Sequence, residues 1–279
     1  MRPAGFLSII RPANSVVAGL AAIVAYLIAT GTLVFSVILL MVVVMLVTAA
    51  GNVINDYYDA EIDKINRPKR PIPSGAVTRD AALAYAVVLF VLGIVISIAT
   101  TPLCLAIAIV NSALLVLYAA WLKSTPFFGN AAVSYLSASI FLFGGAFAGW
   151  TGFCHMLPVA AITFLAMLSR EILKDAEDIE GDRAGGADTL PIRIGVKKSA
   201  ILAFVFAVAA VAASAVPYAW WGLWYLPGIA IVDLVILAAA ARALPCSDPA
   251  ALKATEATTF LKYGMFASLV VFTLSAILL

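Results

Sequence analysis

Two short stretches of the chain carry residues whose types and spacing could do chemistry. The first, "NDYYDAEIDKINRPKRP" (55–71), sets Asp56, Asp59 and Asp63 in a DxxDxxxD pattern beside Lys64, Arg67, Lys69 and Arg70. The second, "REILKDAEDIEGDRAGGADTLPIR" (170–193), repeats that pattern with Asp175, Asp178 and Asp182, at an offset of 119 residues (Asp56 to Asp175). Positions i, i+3 and i+7 share one face of an α-helix. Continuous helices therefore predict two polar stripes. One holds Asn52, Asn55, Asp56, Asp59 and Asp63, and the other Glu171, Asp175, Asp178 and Asp182. Eleven of the fifteen acidic residues fall in these two stretches, so the crowding is local. Like charges on one face raise one another's pKa and cost free energy, which a bound cation would offset.

Donor sets of Asp and Asn oxygens suit hard cations, Mg²⁺ above all. Mg²⁺ keeps several waters and completes its shell with phosphate oxygens. The metal-ligand candidates are Asn55, Asp56, Asp59, Asp63, Asp175, Asp178 and Asp182, with Asp59, Asp63, Asp178 and Asp182 as the catalytic core. Arg67, Arg70, Lys123, Arg170 and Lys174 would match the remaining charge of a diphosphate. Asn111 and Tyr118 are seven residues apart and share a helix face leading to Lys123. A site that opens among apolar helices calls for a substrate with a greasy end, hence a prenyl diphosphate. Loss of diphosphate leaves an allylic cation, which needs exclusion of water and suits aromatic faces. Tyr57, Tyr58, Tyr118 and Tyr135 are the candidates for that role.

The elements that must position these residues are membrane helices. The 279 residues are 64% hydrophobic and 11% charged, with a mean hydropathy of +1.09. Soluble domains carry about 25% charged residues. Apolar runs of about 20 residues predict an all-α, polytopic protein of about nine transmembrane helices in one bundle around a central cavity. The expected spans are 13–30, 33–58, 79–99, 102–121, 130–150, 156–180, 198–217, 224–244 and 258–278. No cleavable signal is expected, and residues 1–279 read as one integral domain. With nine spans, all seventeen Lys and Arg residues fall on the side of the N-terminus. The positive-inside rule then predicts a cytoplasmic N-terminus and a cytoplasmic face for both acidic stretches. Four spans separate the two stretches, so their helices are expected to run in the same direction, as a parallel internal repeat.

The same features exclude other classes. The charge is clustered, with no diffuse basic patch for nucleic acid. Cys104, Cys154 and Cys246 are widely spaced and form no CxxC pair, which predicts small hydrophobic residues rather than a disulfide or metal site. His155, the one histidine, is expected in the short loop before the sixth span. Asp233 lies inside the eighth span and is expected to be a structural hydrogen-bond partner. A cation transporter would place charge near the bilayer midplane, whereas these groups sit at one surface. A CDP-alcohol phosphotransferase would carry DxxDGxxAR, and neither acidic stretch has the DG or the AR.

The spacing Asn55-xxx-Asp59-xxx-Asp63, followed by Arg67-xx-Arg70-Pro71, resembles the first signature of the UbiA superfamily of intramembrane prenyltransferases. Asp175-xx-Asp178-xxx-Asp182 resembles the second. The resemblance covers essentially the whole chain. It implies a nine-helix bundle, dependence on Mg²⁺ and a prenyl diphosphate donor. The stretches 51–75, 117–123 with 129–130, and 170–182 with 189–192 are most similar to the archaeal ether-lipid branch. That branch moves a geranylgeranyl group to the hydroxyl of geranylgeranylglyceryl phosphate, so the implied partners are the donor, a lipid-like phosphorylated acceptor and membrane lipids. No protein partner is implied. By this resemblance Asn55, Asp59 and Asp63 would share Mg²⁺ with Asp175, Asp178 and Asp182. Arg67, Arg70, Tyr118, Lys123 and Lys174 would hold diphosphate or acceptor phosphate. Asn52, Asp56, Asn111, Asn130 and Tyr135 are further candidates. The alternative within the family is an aromatic acceptor, as in quinone or haem side-chain attachment.

Overall fold

The computed structural model describes residues 2–279. Every regular element among them is helical. In chain order they are α1 (Pro3–Ile9), α2 (Pro12–Thr30), α3 (Ile38–Tyr58), α4 (Ala60–Asn66), α5 (Arg79–Ser97), α6 (Pro102–Ala120), α7 (Phe128–Phe147) and α8 (Gly149–Glu177). Then follow α9 (Ile179–Ala184), α10 (Leu190–Ala213), α11 (Tyr218–Trp221), α12 (Tyr225–Ala241), α13 (Pro249–Ala254) and α14 (Ala257–Leu278).

Among the described residues, eight helical segments are long and apolar enough to cross a membrane. The nine expected spans all appear as apolar helices, but the eighth, α12, has 17 residues and falls short of that length. The sixth begins earlier than expected, at Gly149. A left-handed φ of +89° at Gly149 lets α8 start directly after Ala148, with no loop between. His155 therefore lies within α8, where its ring meets Trp220 edge-on and its Nε2 accepts the Trp220 indole N–H. The seventh span is preceded by one helical turn. Gly195, at φ 81° and ψ 163°, interrupts α10 between that turn and the apolar segment.

The chain forms two compact units. The first comprises the chain through Tyr26, Thr32–Trp121 and Leu142–Cys154. The second comprises Leu27–Gly31, Leu122–Phe141 and His155–Leu279.

In the first unit α3 is the central element. It packs most extensively against α5 and also against α6. Small residues allow this closeness. A Cβ at Gly51 would lie 2.9 Å from Leu115 of α6, and one at Gly93 of α5 would lie 3.0 Å from Val47. The outer face of α5 leaves Val87, Val91 and Val95 each more than half exposed. Such a stripe is costly in water and suited to lipid. α5 opens with Thr78, whose hydroxyl caps the Ala81 N–H.

In the second unit α12 packs closely against α14 and next against α10. Gly264 of α14 sits against Ile236, where a Cβ would come within 2.6 Å. Trp221, Tyr225 and Phe272 stack into one aromatic cluster. The Tyr225 hydroxyl donates to the Ser214 carbonyl at 2.8 Å, and the Ser214 hydroxyl donates to Asp233 at 2.7 Å. Asp233 is thus a structural hydrogen-bond partner, as its isolation in the sequence predicts.

Candidate active site

Neither acidic stretch is one continuous helix. α3 stops at Tyr58 and α4 resumes at Ala60, with Asp59 between them at φ −81° and ψ 0°. α8 stops at Glu177 and α9 resumes at Ile179, with Asp178 between them at φ −117° and ψ 22°. These breaks occupy equivalent positions of the repeat, the middle aspartate of each copy. The backbone bonding continues across both. Asp63 N–H donates to the Asp59 carbonyl at 2.8 Å, and Asp182 N–H to the Asp178 carbonyl at 2.9 Å. The expected straight stripes are therefore bent at their centres. Asp is a weak helix former that readily takes terminal positions. After the second break residues 179–184 are helical and 185–189 form a loop.

The first copy lies in the first unit. Asn55 Nδ2 donates to Asp59 Oδ2 at 3.0 Å, which orients that carboxylate and leaves the amide oxygen as a further donor atom for a metal. Asp56 is 3% exposed. Its Oδ1 accepts from Arg11 Nη2 at 2.6 Å and from Arg70 Nη1 at 3.1 Å. Arg70 Nη1 also donates to Asp63 Oδ2 at 2.5 Å. The charge of Asp56, one of the metal candidates, is thus already matched by two guanidiniums. Asn52 donates to the Ile10 carbonyl at 3.1 Å and ties α3 to the α1–α2 junction, away from the carboxylates. The Arg79 guanidinium stacks over the Tyr57 ring at 4.7 Å, and Tyr58 meets Tyr57 edge-on. Tyr118 and Asn111 lie half-buried on α6.

The second copy lies in the second unit. Asn130 Nδ2, on α7, donates to Asp175 Oδ2 at 2.7 Å. Arg170 pairs with the buried Glu171, and Lys174 lies 3.7 Å from the same carboxylate. Glu177 accepts the Thr258 hydroxyl at 3.0 Å. Gly181 makes room for Asp178, whose Oδ1 would be 2.5 Å from any Cβ at that position. Burial holds the Asp182 carboxyl above the ordinary range. The Asp178 charge pushes it further up, while the Thr189 hydroxyl and Lys174 pull it down. A cation beside Asp178 and Asp182 would remove this penalty. Lys123 sits in the turn 122–124, and the Ser124 carbonyl accepts the Asp188 N–H at 3.0 Å, tying that turn to the loop after α9. Tyr135 is half-buried on α7.

The two copies share more than their aspartates. Arg11 reaches Asp56 from 45 positions upstream, and Asn130 reaches Asp175 from 45 positions upstream. The offset of 119 residues that relates the two aspartate motifs also relates Arg11 to Asn130, which the aspartate spacing alone did not mark. Arg11 and Gly181 are the residues that sequence reasoning passed over. The only available signals were an Arg-Pro step at the start of a span and a glycine three residues after the break.

Among the described residues, no three His, Cys, Asp or Glu side chains converge closely enough to hold a metal by themselves. Mg²⁺ binds through one or two carboxylates and takes further oxygens from water and substrate phosphates.

The sequence pattern of the UbiA prenyltransferase family matches residues 16–270. The chain is 75% identical to the digeranylgeranylglyceryl phosphate synthase of Methanoregula boonei, over 99% of both proteins. It is 57% identical to the synthase of the same name from Methanoculleus marisnigri, over the full length of both. A solved structure concerned with digeranylgeranylglyceryl phosphate synthase in membranes superposes with a TM-score of 0.90 at 38% identity, covering 99% of each chain. A UbiA homologue from Archaeoglobus fulgidus, solved with GPP and Mg²⁺ bound, shares the fold at a TM-score of 0.64 and 15% identity, over 94% of this chain and 99% of that one.

Proposed function

The chain belongs to the UbiA prenyltransferase family, and from that premise we propose its reaction. It transfers a geranylgeranyl group from geranylgeranyl diphosphate to the free hydroxyl of geranylgeranylglyceryl phosphate and releases diphosphate. The observation that carries this reading is the 75% identity, over 99% of both proteins, to a relative of that activity. The C1–O bond of the donor breaks and its electron pair leaves with diphosphate. The acceptor hydroxyl oxygen then bonds to C1 and its proton is lost.

In this reading transfer needs both copies of the aspartate motif. Asn55, Asp59 and Asp63 from the first copy, and Asp175, Asp178 and Asp182 from the second, would supply oxygens for Mg²⁺. When bound, Mg²⁺ neutralises the charge that builds on the departing diphosphate. Asn55 and Asn130 hold Asp59 and Asp175 in fixed orientations, so little reorganisation accompanies the reaction. Lys123, Arg170 and Lys174 match diphosphate charge left over by the metal. Arg67 and Arg70 serve diphosphate or acceptor phosphate. Tyr118 and Tyr135 offer ring faces to the prenyl cation.

The test is an assay of the purified protein with labelled geranylgeranyl diphosphate. The acceptors are geranylgeranylglyceryl phosphate and 4-hydroxybenzoate, each with Mg²⁺ and with excess EDTA. Product is expected from the glyceryl phosphate alone, and chelation should remove it. Transfer only to the aromatic acid would overturn the assignment.

The protein is a multi-pass membrane protein of this family, and we place its acidic face in the cytoplasm on the asymmetry of its basic residues. Cys154 is exposed in the second turn of α8, whereas Cys104 and Cys246 are buried. A membrane-impermeant maleimide should label Cys154 from outside intact cells. Labelling only after the membrane is opened would reverse the orientation.

A further inference from the structure

The first unit contains a cavity of about 520 Å³ at the α1–α2 junction, the end of α3 and the 67–71 loop. Its wall offers Ser8, Arg11, Asp56, Asn66, Arg67, Lys69 and Arg70 to a polar ligand. Four cations face one carboxylate. Arg11 and Arg70 are anchored by Asp56, and Arg70 also by Asp63. Among the described residues, the side chains of Arg67 and Lys69 form no ion pair or hydrogen bond, so their charge is unmatched. The loop that carries them is held by its own backbone. Arg70 N–H donates to the Arg67 carbonyl at 2.9 Å, Ser74 N–H to the Arg70 carbonyl at 2.9 Å, and Val77 N–H to the Pro71 carbonyl at 3.0 Å. Pro68 and Pro71 stiffen it further. The volume lies within the range of about 300–1,000 Å³ usual for small-ligand sites.

This is an anion site built without a metal. The carboxylate in its wall is already committed to two guanidiniums, so nothing there is left to carry Mg²⁺. A diphosphate that travels with Mg²⁺ is poorly matched to such a wall, and a bare phosphomonoester dianion is well matched. The surroundings favour a phosphate borne by a lipid. Leu7 and Ile65 each stand next in the chain to a wall residue, Ser8 and Asn66, and are 61% and 83% exposed.

We propose that this cavity binds the phosphate head of the prenylated glyceryl phosphate acceptor, with Arg67 and Lys69 as its principal contacts and Arg11 and Arg70 as the anchored floor. The inference rests on the proposed reaction for the identity of that acceptor. It separates the phosphate duties, leaving donor diphosphate to Lys123, Arg170 and Lys174 and acceptor phosphate to the 67–71 loop.

The test uses full-length protein in nanodiscs of phosphatidylcholine. Wild type, Lys69→Gln, Arg67→Gln and Lys69→Arg are compared for the KM of each substrate. Arg67 and Lys69 are exposed, so these variants are expected to fold. Loss of one charge-assisted contact corresponds to roughly a tenfold weakening. Lys69→Gln and Arg67→Gln should each raise the acceptor KM about tenfold and leave the donor KM within about twofold. Lys69→Arg should restore most of the loss. A rise in donor KM instead, or no change in either, would overturn the proposal. A second arm is independent of turnover. Binding of geranylgeranylglyceryl phosphate is measured without donor or Mg²⁺, against inorganic phosphate and against nanodiscs containing phosphatidylglycerol as competitors. Weaker acceptor binding in Lys69→Gln than in wild type supports the site. Equal binding overturns it, and so does displacement by phosphatidylglycerol as effective as by the acceptor itself, which would make the cavity a general lipid anchor. If wild type binds this acceptor through Lys69 but never turns it over, the proposed reaction fails while the site stands.

Discussion

Asp59→Ala and Asp178→Ala will each lower kcat by roughly a thousandfold or more, while the protein keeps its helical content and elutes as a single species. The magnitude follows from the share of a barrier that electrostatic stabilisation of a leaving group supplies, about 3–4 kcal/mol for one well-placed group. Both residues sit at the helix breaks, where the backbone turns and the side chain is released from the regular helix face. Asp59 is steered by the Asn55 amide at 3.0 Å, and Asp178 occupies space that only glycine at position 181 leaves open. Asp178→Ala also removes the like charge that pushes the Asp182 carboxyl up. Single-turnover measurement of prenyl transfer with circular dichroism alongside decides the matter. Near-normal rates in both variants would sink the metal roles assigned to the two motifs.

Arg70→Met will destabilise the folded protein by about 3 kcal/mol and lower its thermal midpoint in detergent. Arg70 Nη1 contacts Asp56 and Asp63, whose side chains are 3% and 7% exposed. Removing the guanidinium leaves Asp63 buried without its cation, and Asp56 with Arg11 alone. An uncompensated buried carboxylate costs more than the pair itself contributes. The second replacement Asp63→Asn should therefore recover part of the loss, because it removes the stranded charge. A double-mutant cycle measures that coupling, and additive effects would mean that the Arg70–Asp63 contact carries no energy.

Much of this molecule was legible before its coordinates. The bilayer admits few solutions to backbone hydrogen bonding, so long apolar runs had to become helices. The repeated DxxDxxxD spacing located both acidic centres, and oxygen donors without histidine or thiolate clusters pointed to a hard cation. Asp233, lone and apolar in its surroundings, had to find a neutral partner, and Ser214 provides it. What remained hidden was of a different kind. Helical periodicity predicted straight stripes, yet both helices break at the middle aspartate, because a helix end is set by local geometry and neighbouring packing as much as by residue type. Arg11 meets Asp56 and Asn130 meets Asp175 only once α1–α2 lies against α3 and α7 lies near the end of α8. Contacts between residues 45 positions apart depend on which helices pack together, and side-chain spacing along one helix carries no record of that choice. The sequence alone thus determined the membrane helices, the doubled acidic motif and the class of ion. The tertiary structure decided which arginines are committed to holding those acids.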